Sequence, residues 1–132
     1  MSFLLDTDTC SAYLKDNQQV VSKVMLHFGS LHLSVVTIAE LLTWARRAST
    51  SARRMSGVRD LLTASTIHDV DFAIADMFGT IRADLLDHGI TVGAMDMLNA
   101  SVALVHNLIV VTHNTKDYAN VPGLTIEDWL AP

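Results

Sequence analysis

Short apolar runs alternate along the chain with longer stretches of helical spacing. Ser2 to Leu5 is an apolar run stopped by Asp6, the pattern of a buried strand. Thr9 to Leu14 and Val20 to Phe28 have helical spacing, and Gly29-Ser30 breaks it. Leu31 to Val35 alternates as a strand does. Thr37 then opens a helix with Ile38, Leu41, Leu42 and Ala45 on one side. A polar stretch rich in Arg and Ser, from Arg46 to Gly57, continues into a helix through Leu62. Ile67 to Val70 gives a third short strand. Asp71 to Leu86 predicts a long helix with Phe72, Ile74, Ala75, Phe78 and Ile81 on its inner stripe, ended by His88-Gly89. The next helix spans Ala94 to His106. Leu108 to Thr112 is the most apolar run and the candidate central strand. Asn114 to Asn120 reads as a loop, Pro122-Gly123 as a turn, and Leu124 to Ile126 as an edge strand.

Strands separated by helices imply parallel βαβ units, so the expected class is α/β, a mostly parallel sheet covered by helices. The sequence shows no internal repeat, linker or low-complexity segment, and a single domain over residues 1–132 is expected. Half of the residues are hydrophobic and 17% are charged, the reverse of a disordered chain. A single cysteine, Cys10, excludes an internal disulfide and agrees with a reducing compartment. There is no secretory-leader pattern and no run near the ~20 apolar residues of a membrane span. A soluble cytoplasmic protein is therefore expected.

The net charge of −5 disfavours nucleic-acid binding as a bulk property. Its distribution changes that picture. Five of the nine basic residues, Arg46, Arg47, Arg53, Arg54 and Arg59, fall within one short segment. A basic rim beside an acidic centre is the result.

Active sites of open parallel sheets gather at the carboxyl ends of strands. Asp6 ends the first strand, Glu40 lies one turn into the helix after the second, Asp96 opens the helix of residues 94–106, and Asp117 follows the strand ending at Thr112. If these strands are neighbours, four carboxylates meet in one pocket. Crowded carboxylates repel, and a hard divalent cation such as Mg²⁺ or Mn²⁺ relieves the repulsion through oxygen ligands. Such a centre suits phosphodiester hydrolysis. Each acid also has a plainer reading. Thr37-Ile38-Ala39-Glu40 is a capping-box pattern, Asp96 suits a helix N-terminus, Asp6 and Asp8 suit turns or caps, and Asp117 suits a solvated loop.

Leu4-Leu5-Asp6-Thr7-Asp8 resembles the opening of PIN-domain toxins of the VapC type. Ser34-Val35-Val36-Thr37-Ile38-Ala39-Glu40-Leu41 resembles their second motif, and Met95-Asp96 with Ala100, Ala103 and His106 their third. Val110 to Tyr118 resembles the fourth, and Val121-Pro122-Gly123-Leu124 with Glu127-Asp128-Trp129-Leu130 the usual ending. The likeness runs in order along essentially the whole chain. It implies a three-layer α/β/α sandwich around a mostly parallel sheet of about five strands. It also implies an endoribonuclease dependent on Mg²⁺ or Mn²⁺, the toxin of a toxin–antitoxin pair. Asp6, Glu40, Asp96 and Asp117 would be the catalytic and metal-site acids, supported by Thr7, Thr112 and Asn114. A VapB-type antitoxin, an RNA substrate (tRNA among the candidates) and a homodimer are further implications. Arg46, Arg47, Arg53 and Arg54 are the candidates for RNA phosphate contact.

Asp8 departs from the family pattern, where Asn is frequent, and so do Asn99 and Ser101, where small apolar residues are usual. Neither removes an expected ligand. Trp44 suits contact with a partner or packing within the domain. His113 lies near the proposed site, and the other five histidines read as scattered. Two alternatives stand beside this reading. Asp6-Thr7-Asp8-Thr9 resembles the DxDxT opening of haloacid-dehalogenase-like phosphatases, with Asp6 as nucleophile and Asp8 as general acid. That family's lysine and late acidic pair are not matched. The other alternative is a catalytically silent partner-binding module, for which a missing acid would be the sign.

Overall fold

Five parallel strands carry the architecture, in the order β3-β2-β1-β4-β5. The computed structural model describes residues 1–47 and 49–132; Ala48, inside the predicted polar stretch, lies outside them. The elements run β1 (Phe3–Leu5), α1 (Thr7–Leu14), α2 (Gln18–Leu26), β2 (Leu31–Ser34), α3 (Val35–Arg46), α4 (Ser51–Thr63), β3 (Thr66–His68), α5 (Phe72–Asp87), α6 (Ala94–His106), β4 (Ile109–Val111), α7 (Thr115–Tyr118) and β5 (Ile126–Glu127).

Successive strand side chains point to opposite faces, which divides the apolar residues into two cores. Phe3, Leu5, Leu31, Leu33 and Val111 pack with α2, α3 and α4 through Val20, Val24, Leu41, Ala45, Val58 and Leu61. Leu4 and Val110 pack on the other face with Ile74, Ile81 and Leu85 of α5 and Met97, Ala100 and Ala103 of α6. The result is a three-layer α/β/α sandwich. All three residues of β1 are at most 1% exposed. Burial on both faces, at about 1.5–3 kcal/mol per large apolar side chain, makes β1 the anchor of the sheet. Among the described residues, no helix is long and apolar enough to cross a membrane.

The strand order places the catalytic edge. β1 pairs with β2 on one side and β4 on the other, so the chain's course across the sheet reverses at β1. Ligand crevices open at such a reversal, outside the carboxyl ends of the strands. The Asp6 amide donates to Val111 O at 2.9 Å, and the Thr112 amide to Glu127 O at 3.0 Å. Asp6 and Thr112 are therefore fixed side by side at that edge.

Several local expectations are corrected. β2 passes directly into α3, so Val35 and Val36 are helical and Thr37 is not the cap. Ser34 is the cap, its hydroxyl accepting from the Thr37 amide at 3.3 Å. Glu40 therefore belongs to the second turn, not to a capping box. β3 begins and ends earlier than the Ile67–Val70 run, and β5 is Ile126–Glu127. α4 starts at Ser51, inside the polar stretch, and the predicted loop after Thr112 contains α7. The inner stripe of α5 runs through Ile74, Met77, Phe78, Ile81 and Leu85; Phe72 is 86% exposed and Ala75 is exposed too. The end of α5 follows expectation, with Gly89 at φ +72. Its Schellman bonds run from the Ile90 amide to Leu85 O and from the Gly89 amide to Leu86 O.

The histidines are not scattered. The His32 and His68 ring nitrogens meet at 2.7 Å, and the His106 ring lies 4.2 Å from His68, centroid to centroid. His27 packs against Phe3 and Trp129. Parallel pairing of β2 with β3 sets His32 and His68 on one face, where the last turn of α6 brings His106.

Candidate active site

Asp6 is the centre of the site and only 8% exposed. It leaves β1 as the N-cap of α1 and accepts from the Thr7 amide at 2.9 Å. The same Oδ1 accepts from Asn99 Nδ2 at 3.0 Å, and Oδ2 accepts from the Thr112 hydroxyl at 3.0 Å. Burial pushes the Asp6 carboxyl above the usual range, and the Asp8 charge adds to this; the Thr7 amide and Thr112 hydroxyl pull the other way.

The other three acids come from separate elements: Asp96 feels the charges of Asp6 and Asp117, whereas Glu40 is joined to the site only through Thr7, and among the described residues no three of these groups are placed to hold a metal ion together. Thr7, the next residue, donates its hydroxyl to Glu40 Oε1 at 2.6 Å, which holds the second turn of α3 over the start of α1. Asp96, in the first turn of α6, accepts from the Tyr118 hydroxyl at 3.3 Å. Asp117, in α7, accepts from the Asn114 side-chain amide. Asp96 is pushed up to about 6, first by burial and then by the charges of Asp6 and Asp117. Tyr118 is fully buried beneath these acids, and its phenol is held well above the usual range by burial and by Asp6 and Asp96. It is a neutral hydrogen-bond donor at the floor of the site.

The three supporting residues named from the sequence each touch an acid or its neighbour. Thr7 holds Glu40, Thr112 holds Asp6, and Asn114 holds Asp117 while its amide donates to the Thr112 hydroxyl at 3.1 Å.

Asn99 is a residue that sequence reasoning left open and that contacts Asp6 directly. It is 2% exposed and donates to both Asp6 and Thr37 Oγ1, the latter at 3.2 Å. Its carbonyl oxygen accepts from the Ser34 hydroxyl. One side chain thus ties β1, the α3 N-terminus and α6 together. The signal was available: Asn99 lies three residues after Asp96 on a helix, and so on the same face. A lone amide in an otherwise apolar helical stretch is conspicuous. Ser101, by contrast, bonds back to Met97 O at 2.7 Å within its own helix. Among the described residues, no buried side-chain polar atom lacks a partner.

Asp8 does not join the acidic centre as a free carboxylate. Its Oδ2 accepts from the His113 amide at 3.0 Å and lies 3.4 Å from the Thr112 hydroxyl. It pins the β4–α7 loop while adding negative charge beside Asp6. His113 is exposed, with Nδ1 3.0 Å from Asp128.

The arginines split into two groups. Arg47 and Arg54 line a cavity of about 500 Å³ together with Glu40, Thr43 and Trp44. Arg53 lines an adjoining cavity of about 260 Å³. Arg46 is exposed at the end of α3.

A family model described as the PIN domain matches residues 3–124. The chain is 33% identical over 130 residues to the tRNA(fMet)-specific endonuclease VapC of Shigella flexneri, covering 98% of each. It is 28% identical over 131 residues to ribonuclease VapC2 of Haemophilus influenzae, covering 98% of this chain and 99% of that one. Among solved structures, it is similar to a chain in the DNA-bound VapBC of Salmonella typhimurium, with a TM-score of 0.91, 31% identity and 98% of both chains covered.

Proposed function

The chain belongs to the PIN-domain family, in its VapC branch, and from that premise we propose that it is a metal-dependent endoribonuclease acting as the toxin of a toxin–antitoxin pair. The reading is supported by Asp6, Asp96 and Asp117 acting on one another's charge at the carboxyl edge of the sheet, with Glu40 tied to Thr7 beside them. Two of these carboxyls are raised above their usual range, Asp96 to about 6. A pocket that crowds carboxylates without a cation among them is electrostatically costly, and its donors are all oxygens, as Mg²⁺ and Mn²⁺ favour. The donor chemistry fits such an ion, and since no three of the described acids and histidines already stand in a metal-holding group, the carboxylates would close around it on binding. Asp6, Glu40 and Asp96 would hold it, with Asp117 completing the set. When bound, it supplies Lewis acidity toward a phosphodiester and toward the attacking water.

The chain's own residues do the rest. Thr7, Thr112, Asn99 and Tyr118 donate to the acids and fix their orientation. Burial of Asp6 and Tyr118 keeps the floor of the site dry, which strengthens every charge interaction above it. Arg46, Arg47, Arg53 and Arg54 supply the phosphate contacts that hold a chain of negative charge across an acidic centre. RNA loops, with tRNA foremost, are the proposed substrates, because splayed bases allow the backbone to enter a narrow crevice. A small VapB-type antitoxin and a second copy of the chain are the proposed partners.

The phosphatase reading has less support. It needs Asp8 free as a general acid, and Asp8 is bonded to the β4–α7 loop. The silent-module reading would be favoured by a missing acid, and the sequence carries all four. The test is induced expression of the chain in bacteria, with and without its co-encoded antitoxin. Growth arrest is expected from the natural chain alone and not from Asp6→Asn. Equal arrest by both would refute the metal-nuclease reading.

A further inference from the structure

The cavity beside Glu40 has a chemistry that the carboxylate centre does not explain. Glu40, Thr43, Trp44 and Arg47 recur on α3 at i, i+3, i+4 and i+7, so one face of the helix forms one wall. Arg54, on α4, forms the other. Its guanidinium carbon lies 4.5 Å from the centre of the Trp44 ring, and its Nη1 donates to the Trp44 carbonyl at 3.2 Å. The guanidinium thus covers one face of a partly buried indole and is held there by the carbonyl. Among the described residues, no carboxylate lies within ion-pair distance of Arg47 or Arg54. The adjoining smaller cavity adds Lys15 and Arg53 on the far side of the same pair. A basic track therefore leads away from the acidic centre, with an aromatic step at its start.

Resting on the ribonuclease reading above, we infer that this cleft receives one unpaired nucleobase of the RNA, stacked on the Trp44–Arg54 pair, with Arg47 on an adjacent phosphate. Three features favour a nucleotide over a segment of protein. The pair offers stacking to any base. The guanidinium of Arg47 lacks an internal counter-ion, as a phosphate site requires. Glu40 lines the cleft and accepts from Thr7, the neighbour of Asp6, so a base held in the cleft sits next to the acids. Trp44 and Arg54 are then positioning residues that fix the reading frame of the cut.

The test uses the full-length Asp96→Asn protein, so that binding is read without turnover. Trp129 is 2% exposed, which leaves Trp44 as the tryptophan that reports the surface. Each protein is titrated into a fluorescein-labelled mixed-sequence single-stranded RNA 12-mer and into an equally labelled abasic ribose-phosphate chain of the same length, anisotropy giving the affinity and, in proteins that keep Trp44, intrinsic fluorescence giving the quench. The RNA is expected to quench Trp44 and to bind about tenfold or more tightly than the abasic chain. Trp44→Leu should remove that preference, Trp44→Phe should retain part of it, and Arg54→Gln should weaken it, all with unchanged circular dichroism. Equal affinity for the two chains, or an unchanged preference in Trp44→Leu, would overturn the inference. So would a Trp44→Leu variant that binds RNA normally but no longer co-purifies with its co-encoded antitoxin, which would assign the cleft to the protein partner. Because the readout needs no cleavage, failure of the wild-type protein to cut RNA would remove the ribonuclease reading while leaving base binding to be judged by the titration.

Discussion

Replacing Asp96 by Asn should abolish the function and stabilise the metal-free protein. The carboxyl of Asp96 is raised from 3.8 to about 6 in the fold. A raised carboxyl means that the folded state binds the proton more tightly than the unfolded chain does. The ionised form therefore costs stability. This penalty is absent below about pH 3.8, grows as pH rises toward 6, and is complete above that. Two pH units correspond to an upper bound of about 3 kcal/mol. Asp96 is only partly buried, and solvent screening reduces this to roughly 1 kcal/mol. Asparagine keeps an acceptor for the Tyr118 hydroxyl and carries no charge. Urea and thermal denaturation of both proteins in EDTA, from pH 8 to pH 4, give the assay. At pH 8 the variant should be more stable by about 1 kcal/mol, roughly 3–5 °C in Tm for a chain of this size. The gap should shrink to a small part of that at pH 4. Taking the difference between the two proteins removes other groups that titrate in the same window. A variant no more stable than wild type at pH 8, or a gap that does not change with pH, would refute the reasoning.

Asn99→Leu keeps the branching of the side chain but leaves Asp6, Thr37 and Ser34 short of hydrogen-bond partners. It should cost about 2–4 kcal/mol in urea denaturation, and a loss below 1 kcal/mol would mean that the amide is not the tie described. Asp8→Asn removes a charge that raises the Asp6 carboxyl, so the acid limb of the pH–rate profile should move to lower pH with activity retained; inactivation as complete as that of Asp6→Asn would instead favour the phosphatase-type role for Asp8. The His32 and His68 rings are held below the usual imidazole value by burial and by the His106 charge. Their stabilising contribution is present above about pH 6.5 and is lost as pH falls through their lowered values. Replacing both by Gln should therefore flatten the fall in stability between pH 7 and pH 5, and an unchanged slope would exclude the pair as its source.

Much of this arrangement is legible in the sequence because it follows from local rules. β1 and β4 are apolar runs ended by polar residues, and buried parallel strands need that composition whatever surrounds them. The end of α5 follows from Gly89, which accepts the left-handed turn at φ +72. That Asp6, Asp96 and Asp117 feel one another's charge follows from parallel strands ending on one edge, whereas the link of Glu40 to them through Thr7 depends on how α3 sits over α1. What escaped the sequence depends on partners distant in the chain. Ser34 and Thr37 are equally good caps by residue type, and the choice of Ser34 is made where β2 enters the sheet beside Asn99. Phe72 fits a helical stripe by spacing, yet the sheet meets α5 on the face set by Ile74 and Ile81. The three histidines come from β2, β3 and α6, and only strand register brings them into contact. Trp44 and Arg54 are ten residues apart across a helical corner, and no periodicity pairs them.

The central claim is that four carboxylates form one metal-dependent centre for RNA cleavage. Its most direct test is incubation of the purified protein with total cellular RNA in Mg²⁺, Mn²⁺ or EDTA, with cut sites mapped and Asp96→Asn run alongside. The account predicts cuts at a few discrete positions that require the divalent ion and vanish in the variant. Cleavage that persists in EDTA or in Asp96→Asn, or no cleavage by folded wild-type protein with either ion, would contradict it.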